Sequence, residues 1–267
     1  MPGLVRRNAC KTLAKDFSGL QLGSVSTDLR YKRFASVSPT FASVCQGVTL
    51  VVAITESYLR GVAVAFYFDP NDRQLKQKLA DLSPTPGYCV FVDIVDSTPL
   101  KDQGIMKWAP YIHNTFVNTV VFLPPGMVPL KCLGDALMFF LPEGKLAASG
   151  HNALHLFDGL AQIVQDTDPL TKNTKAAAVF CTSEAFELTF TPAMPDVYGK
   201  DIDLAARLLA QARPRELVMN GPFVDRVRTA YSQTGNQEQF SVVLKITGPV
   251  PKPLKGFAAP VDTYTFG

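Results

Sequence analysis

Two acidic residues stand where buried strands should end. Tyr88-Cys-Val-Phe-Val-Asp-Ile94 is rich in Val, Ile and aromatics and reads as a buried strand, yet Asp93 interrupts it. Asp96, Ser97 and Thr98 follow at once. A carboxylate in such a place is costly to bury unless it is paired or holds a metal. Lys131-Cys-Leu-Gly-Asp135 leads into a second apolar run, Ala136 to Leu141, and Gly134 permits a tight turn that carries Asp135 past the strand ends. Carboxylates on neighbouring strand tips suit one or two Mg²⁺ ions, which take oxygen ligands together with substrate phosphates. Two such ions would activate an attacking oxygen and stabilise a leaving phosphate. Read as plain structure, Asp93 is a helix cap and Gly134-Asp135 a solvent-facing turn. The occurrence of both turns favours the metal.

A third segment, Asp196-Val-Tyr-Gly-Lys-Asp-Ile-Asp-Leu-Ala-Ala-Arg207, is a turn followed by an amphipathic helix, with Arg207 one turn beyond Asp203. With Leu254-Lys-Gly-Phe-Ala-Ala-Pro-Val261 and Tyr264, these segments resemble the class III nucleotide cyclases. That family carries F-x-D-I-x-x-S/T, K-x-x-G-D, D-x-x-G-x-x-V-N-x-A-A-R and L-K-G-x-x-x-P-V-x-x-Y in this order. The resemblance implies that Asp93 and Asp135, with the Ile94 carbonyl, bind two Mg²⁺ or Mn²⁺ per site. It implies that the backbone of Val95, Asp96, Ser97 and Thr98 cradles a triphosphate, as successive amides in a turn can. Arg207 would stabilise charge on the α-phosphate as the ribose 3′-oxygen displaces pyrophosphate, and Asp203 would orient the ribose. Metal ligands from one subunit would meet the base and arginine positions of another, so a head-to-tail homodimer with shared sites is implied.

Two departures stand out. Asp203 replaces the family's Asn, and Phe257 replaces a lysine that some members use on the triphosphate, leaving Lys255 or Lys200 to substitute. They support a reading of another class, a degenerate nucleotide-binding domain without turnover. Lys131 and Asp196 fall at the base-reading positions. A donor beside an acceptor suits adenine, and equally uracil or cytosine. The layout of the chain resembles the bacterial pyrimidine cyclases of Pycsar anti-phage systems, so conversion of UTP to cUMP is expected ahead of ATP to cAMP. The product would be read by a separate cyclic-nucleotide effector.

The elements that must position these residues alternate from Tyr88 onward. Strands are expected at 88–94, 128–133, 136–141, 176–181, 186–191, 217–219, 240–246 and 263–266. Helices are expected from near Pro99 through Trp108 and His113, from Ala147 to about Thr167, from Asp201 to Ala212, and through Val224–Val227. Val117–Phe122 stands apart from the first of these helices. This is an α+β chain, a ferredoxin-like sandwich of helices on a mostly antiparallel sheet. The Pro84-Thr-Pro-Gly87 cluster divides an N-terminal extension (1–84) from a catalytic domain (85–267). Within the extension, Thr49–Ile54 and Val62–Phe68 read as strands, Asp69–Asp72 as a turn and Gln74–Leu82 as a helix.

A net charge of +3 over 267 residues gives no nucleic-acid footprint. Five cysteines without CxxC pairs imply a reduced, cytoplasmic setting. Glu56 and Arg60 interrupt the most apolar N-terminal stretch, so no membrane insertion is expected. His151 and His155, spaced i,i+4, read as a surface or interfacial pair rather than a zinc site. Trp108, Tyr111 and Phe116 read as core.

Overall fold

A computed structural model describes residues 66–67 and 72–267, apart from 170, 172, 192 and 193. The strand expected at Thr49–Ile54 and most of the segment around Val62–Asp72 lie outside the described residues. Phe66–Tyr67 is a short strand, β1. Next come α1 (Leu75–Ala80), β2 (Gly87–Ile94), α2 (Ser97–Lys101), α3 (Ile105–Phe122), β3 (Pro129–Leu133) and β4 (Ala136–Pro142). These lead to α4 (Glu143–Ala148), α5 (Ala153–Gln165), β5 (Thr174–Cys181), β6 (Phe186–Thr191) and β7 (Met194–Tyr198). The chain closes with α6 (Lys200–Gln211), β8 (Leu217–Asn220), α7 (Gly221–Gln233), a 3₁₀ turn (Ser241–Lys245), β9 (Thr247–Lys252) and β10 (Val261–Phe266).

Seven strands form one sheet in the order β3-β4-β2-β5-β8-β10-β9, antiparallel except for the β5–β8 pair. Its first four strands give the β-α-β-β-α-β weave of a ferredoxin-like sandwich. A separate three-stranded sheet has the order β1-β6-β7. The central strands read as continuous apolar runs because both faces of the large sheet are covered. Tyr88, Val90 and Val92 of β2 pack with Leu156, Phe157 and Leu160 of α5 and Phe223 and Val227 of α7. The alternate residues Cys89 and Phe91 pack with Ala205 and Leu208 of α6. A period of two along the strand thus divides one sequence between two cores.

Several boundaries differ from expectation. The helix near Pro99 is two helices, α2 and α3, separated at Gly104, and Val117–Phe122 continues α3 rather than standing apart. The Ala147–Thr167 helix is likewise two. Residues 196–198, read as part of a turn, belong to β7, and 240–246, read as a strand, are largely 3₁₀ with the strand β9 beyond it. Tyr111 is buried and accepts a bond from the Asn173 amide at 3.2 Å, in keeping with a core role. No helix among the described residues is long and apolar enough to cross a membrane.

His155 helps to cap α5. Asn152 Oδ1 accepts from the amides of Leu154 (3.0 Å) and His155 (3.4 Å), and His155 Nδ1 accepts from the Asn152 amide at 3.4 Å, a reciprocal cap. Burial holds the His155 imidazole below its ordinary value, His151 adds to this, and Asp158 opposes it. The unfolded imidazole takes up a proton near pH 6.5 and the folded one only at lower pH, so this stabilisation is complete above about 6.5 and is lost as pH falls toward the folded value. Thermal melts should therefore show the wild-type midpoint falling more between pH 7.5 and pH 5 than that of His155→Gln, which keeps an acceptor for the cap. Equal falls would exclude His155 as the source.

Candidate active site

Asp93 and Asp135 come together at one end of the sheet. Asp93 is the penultimate residue of β2 and pairs in register with Lys175 of β5. Asp135 follows Gly134, whose φ of +70° gives the β3–β4 hairpin its tight turn. The two carboxylates sense one another. Burial pushes the Asp93 carboxyl above its ordinary value, Lys175 opposes this, and the charge of Asp135 raises it further. Asp135 goes the other way. Burial would raise it, but the Ser97 hydroxyl and the Lys101 ammonium outweigh burial and hold it below the ordinary value.

Each carboxylate carries one lysine. Lys175 Nζ is 3.4 Å from Asp93 Oδ2, and Lys101 Nζ donates to Asp135 Oδ1 at 3.1 Å and to Ser97 Oγ at 3.3 Å. Among the described residues no three His, Cys, Asp or Glu side chains converge as a metal-binding group. The two aspartates are nonetheless a hard oxygen donor pair of the kind that suits Mg²⁺ or Mn²⁺, an ion that completes its shell with water and phosphate rather than a full protein cage.

The turn after β2 is only partly available to an anion. The Val95 amide donates to Asn173 O at 2.8 Å, so it is already committed. Asp96 occupies the left-handed region (φ 58°) at the N-cap of α2 without a side-chain capping bond. The amides of Ser97 and Thr98 open the first turn of α2, and Ser97 is buried beside Asp135. Ile94 is buried within its strand pairings.

Lys131 and Asp196, far apart in sequence, meet directly. Lys131 Nζ donates to Asp196 Oδ2 at 2.6 Å, and Asp196 Oδ1 accepts from the Val197 amide at 2.8 Å. Tyr198, one pleat along β7, places its ring 5.4 Å from Lys131 Nζ and its hydroxyl on Asp196. Slight burial, and then the acceptor and charge of Asp196, raise the Tyr198 phenol above its ordinary value.

Asp203 and Arg207 sit on the exposed side of α6, opposite Ile202, Leu204, Ala205 and Leu208, and their side chains make no hydrogen bond or ion pair among the described residues. Asp201, in the first turn of α6, accepts from the amides of Thr182, Ser183 and Glu184 (3.0, 3.4 and 3.2 Å), while Gly199 is the N-cap. Gly199 has φ +137°, and a Cβ there would lie 1.9 Å from Glu184 O. Lys200 stands over the ring of Phe257, with Nζ 5.8 Å from its centroid. Lys101, Lys175 and Tyr198 were not singled out by the sequence. Only the one-turn spacing of Ser97 and Lys101 signals any of them.

No protein-family model and no curated protein matches the chain. Among solved structures, the adenylyl cyclase CyaB from P. aeruginosa superposes with a TM-score of 0.54 at 16% identity, over 68% of this chain and 93% of that one. The guanylate cyclase domain of RhGC from Catenaria anguillulae, in complex with GTP, gives 0.46 at 12% identity, over 68% and 95%. The first of these establishes the fold: the chain has an α+β sandwich like that of the class III nucleotide cyclases.

Proposed function

We propose that the protein is a nucleotide cyclase that converts a nucleoside triphosphate to a 3′,5′-cyclic nucleotide and pyrophosphate. The observation that carries this reading is the placing of Asp93, next to last in β2, and Asp135, in the β3–β4 turn, at one end of the sheet, beside the start of α2, where Asp96 makes no side-chain capping bond. Bound there with the Ile94 carbonyl, Mg²⁺ or Mn²⁺ would lower the pKa of the ribose 3′-hydroxyl and neutralise the phosphates. Asp96, Ser97 and Thr98 line the triphosphate, with the Ser97 and Thr98 amides as donors; Val95 shapes the turn. Arg207 offsets charge developing at the α-phosphate, and Asp203 orients the ribose. The reaction is an in-line displacement, so positioning and electrostatics supply most of its rate.

Lys131 and Asp196 read the base. Lysine and carboxylate match the uracil edge, and the likeness of the chain's layout to the pyrimidine cyclases makes UTP the proposed substrate and cUMP the product. ATP is the second reading, since the same donor and acceptor match the adenine edge. The outward placement of Asp203 and Arg207 supports a homodimer in which α6 of one subunit faces the aspartates of the other. The resemblance of the chain's layout to the Pycsar cyclases supports a product that acts as a messenger for a separate effector in anti-phage defence, in the cytoplasm.

Incubating the purified protein with Mn²⁺ and each of ATP, GTP, CTP and UTP, with mass-spectrometric identification of products, tests the proposal. Pyrophosphate and cUMP from UTP are expected. Cyclic AMP alone would replace the base reading and keep the reaction. No pyrophosphate from any nucleotide would overturn the cyclase reading in favour of a binding domain without turnover.

A further inference from the structure

The two aspartates are not simply waiting for a metal. Each is engaged by an ammonium group from a different element, Lys175 on β5 and Lys101 at the end of α2. Three of the four side chains are largely shielded, and Lys101 is the most open. Relative exposure is 18% for Lys175, 22% for Asp93, 18% for Asp135 and 38% for Lys101. Two positive charges therefore balance two negative ones within contact distance, and water screens them only partly. Lys101 is held from two sides, because Ser97 Oγ accepts from the same ammonium and also bonds Asp135.

We propose that Lys101 and Lys175 are resident counter-cations that a divalent metal must displace, and that the polyphosphate of the substrate takes them over when it does. The inference rests on the metal reading of Asp93 and Asp135. Its argument is charge balance. A divalent ion entering a neutral cluster meets two ammonium groups at close range, and their repulsion opposes binding. A nucleoside triphosphate carries about four negative charges at neutral pH, enough to balance the incoming metals and give the released ammoniums new acceptors. Lys101 is well placed for that exchange because its ammonium already reaches Ser97 Oγ, in the turn proposed to line the triphosphate. Metal alone then binds weakly, metal with polyphosphate binds tightly, and each raises the affinity of the other by the same factor.

The test reads metal binding directly. Free Mn²⁺ is followed by electron paramagnetic resonance in nucleotide-free full-length protein, comparing wild type with Lys101→Met, Lys101→Arg and Asp135→Asn. Lys101→Met is expected to bind Mn²⁺ about fivefold or more tightly than wild type, and Lys101→Arg to return to the wild-type value. Calorimetry with tripolyphosphate in saturating Mn²⁺, which requires no base, should show weaker binding to Lys101→Met than to wild type. Unchanged or weaker Mn²⁺ binding by Lys101→Met would overturn the proposal, as would undiminished tripolyphosphate binding. Asp135→Asn separates the two layers. If it fails to weaken Mn²⁺ binding, the metal reading itself falls. If it does weaken binding while Lys101→Met changes nothing, only the counter-cation role is lost.

Discussion

Asp93→Asn and Asp135→Asn are each expected to lower turnover by about a thousandfold or more, because each removes one of two charges that would hold the metal. Their effects on stability should have opposite signs. The Asp93 carboxyl sits above its ordinary value, chiefly through burial, so its contribution is greatest at low pH and is lost as pH rises through the folded value. Asp135 sits below its ordinary value because Ser97 and Lys101 outweigh burial, so its stabilisation is present above the unfolded value and is lost as pH falls through the folded one. At pH 7 the melting temperature of Asp93→Asn should equal or exceed that of wild type, while that of Asp135→Asn should fall. Thermal melts beside an activity assay check both statements. Full activity in either variant would refute the assignment.

Arg207→Ala should lower kcat by roughly a hundredfold to a thousandfold with little change in KM, since a fixed cation aimed at charge that develops only during displacement acts on the transition state. Arg207→Lys should recover part of this, because the charge remains while the planar fork is lost. Stability should hold within about 0.5 kcal/mol, as expected for an exposed side chain without partners. Mixing inactive Arg207→Ala with inactive Asp93→Asn supplies a second readout. In a symmetric dimer with shared sites, random exchange makes about half the dimers mixed, each with one intact site, so about a quarter of wild-type activity should return. No recovery after verified subunit exchange would count against sites built from two chains.

Much of the central sheet was legible because its strands are apolar on both faces: Tyr88–Ile94, Ala136–Leu141 and Ala176–Cys181 need little tertiary context to be recognised. The strands that escaped are those where Pro contradicts strand chemistry. β7 contains Pro195, and β9 contains Gly248, Pro249 and Pro251, yet β7 and β9 are each the last strand of their sheets, where a missing amide donor is tolerated. The β-branched residues Val117, Val120 and Val121 carry no helical signal of their own, and they are helical because α3 continues through them. Asp93, Asp135, Lys131 and Asp196 could be chosen from motif order, and Lys131 and Asp196 are in direct contact. Lys175 could not be chosen that way, since it meets Asp93 only through the antiparallel register of β2 and β5.

The mounting of α6 fixes how its exposed face is presented. Its first turn is fastened to the segment just beyond β5, through the three amides on Asp201 and the close approach of Gly199 to Glu184. The opposite end of β5 carries Lys175 against Asp93. A single extended strand, about 27 Å long at the usual rise, therefore runs from the helix that bears Arg207 to the aspartate end of the sheet. The face of α6 that carries Asp203 and Arg207 is thus held in a fixed setting relative to the aspartates of its own chain by one strand of the sheet.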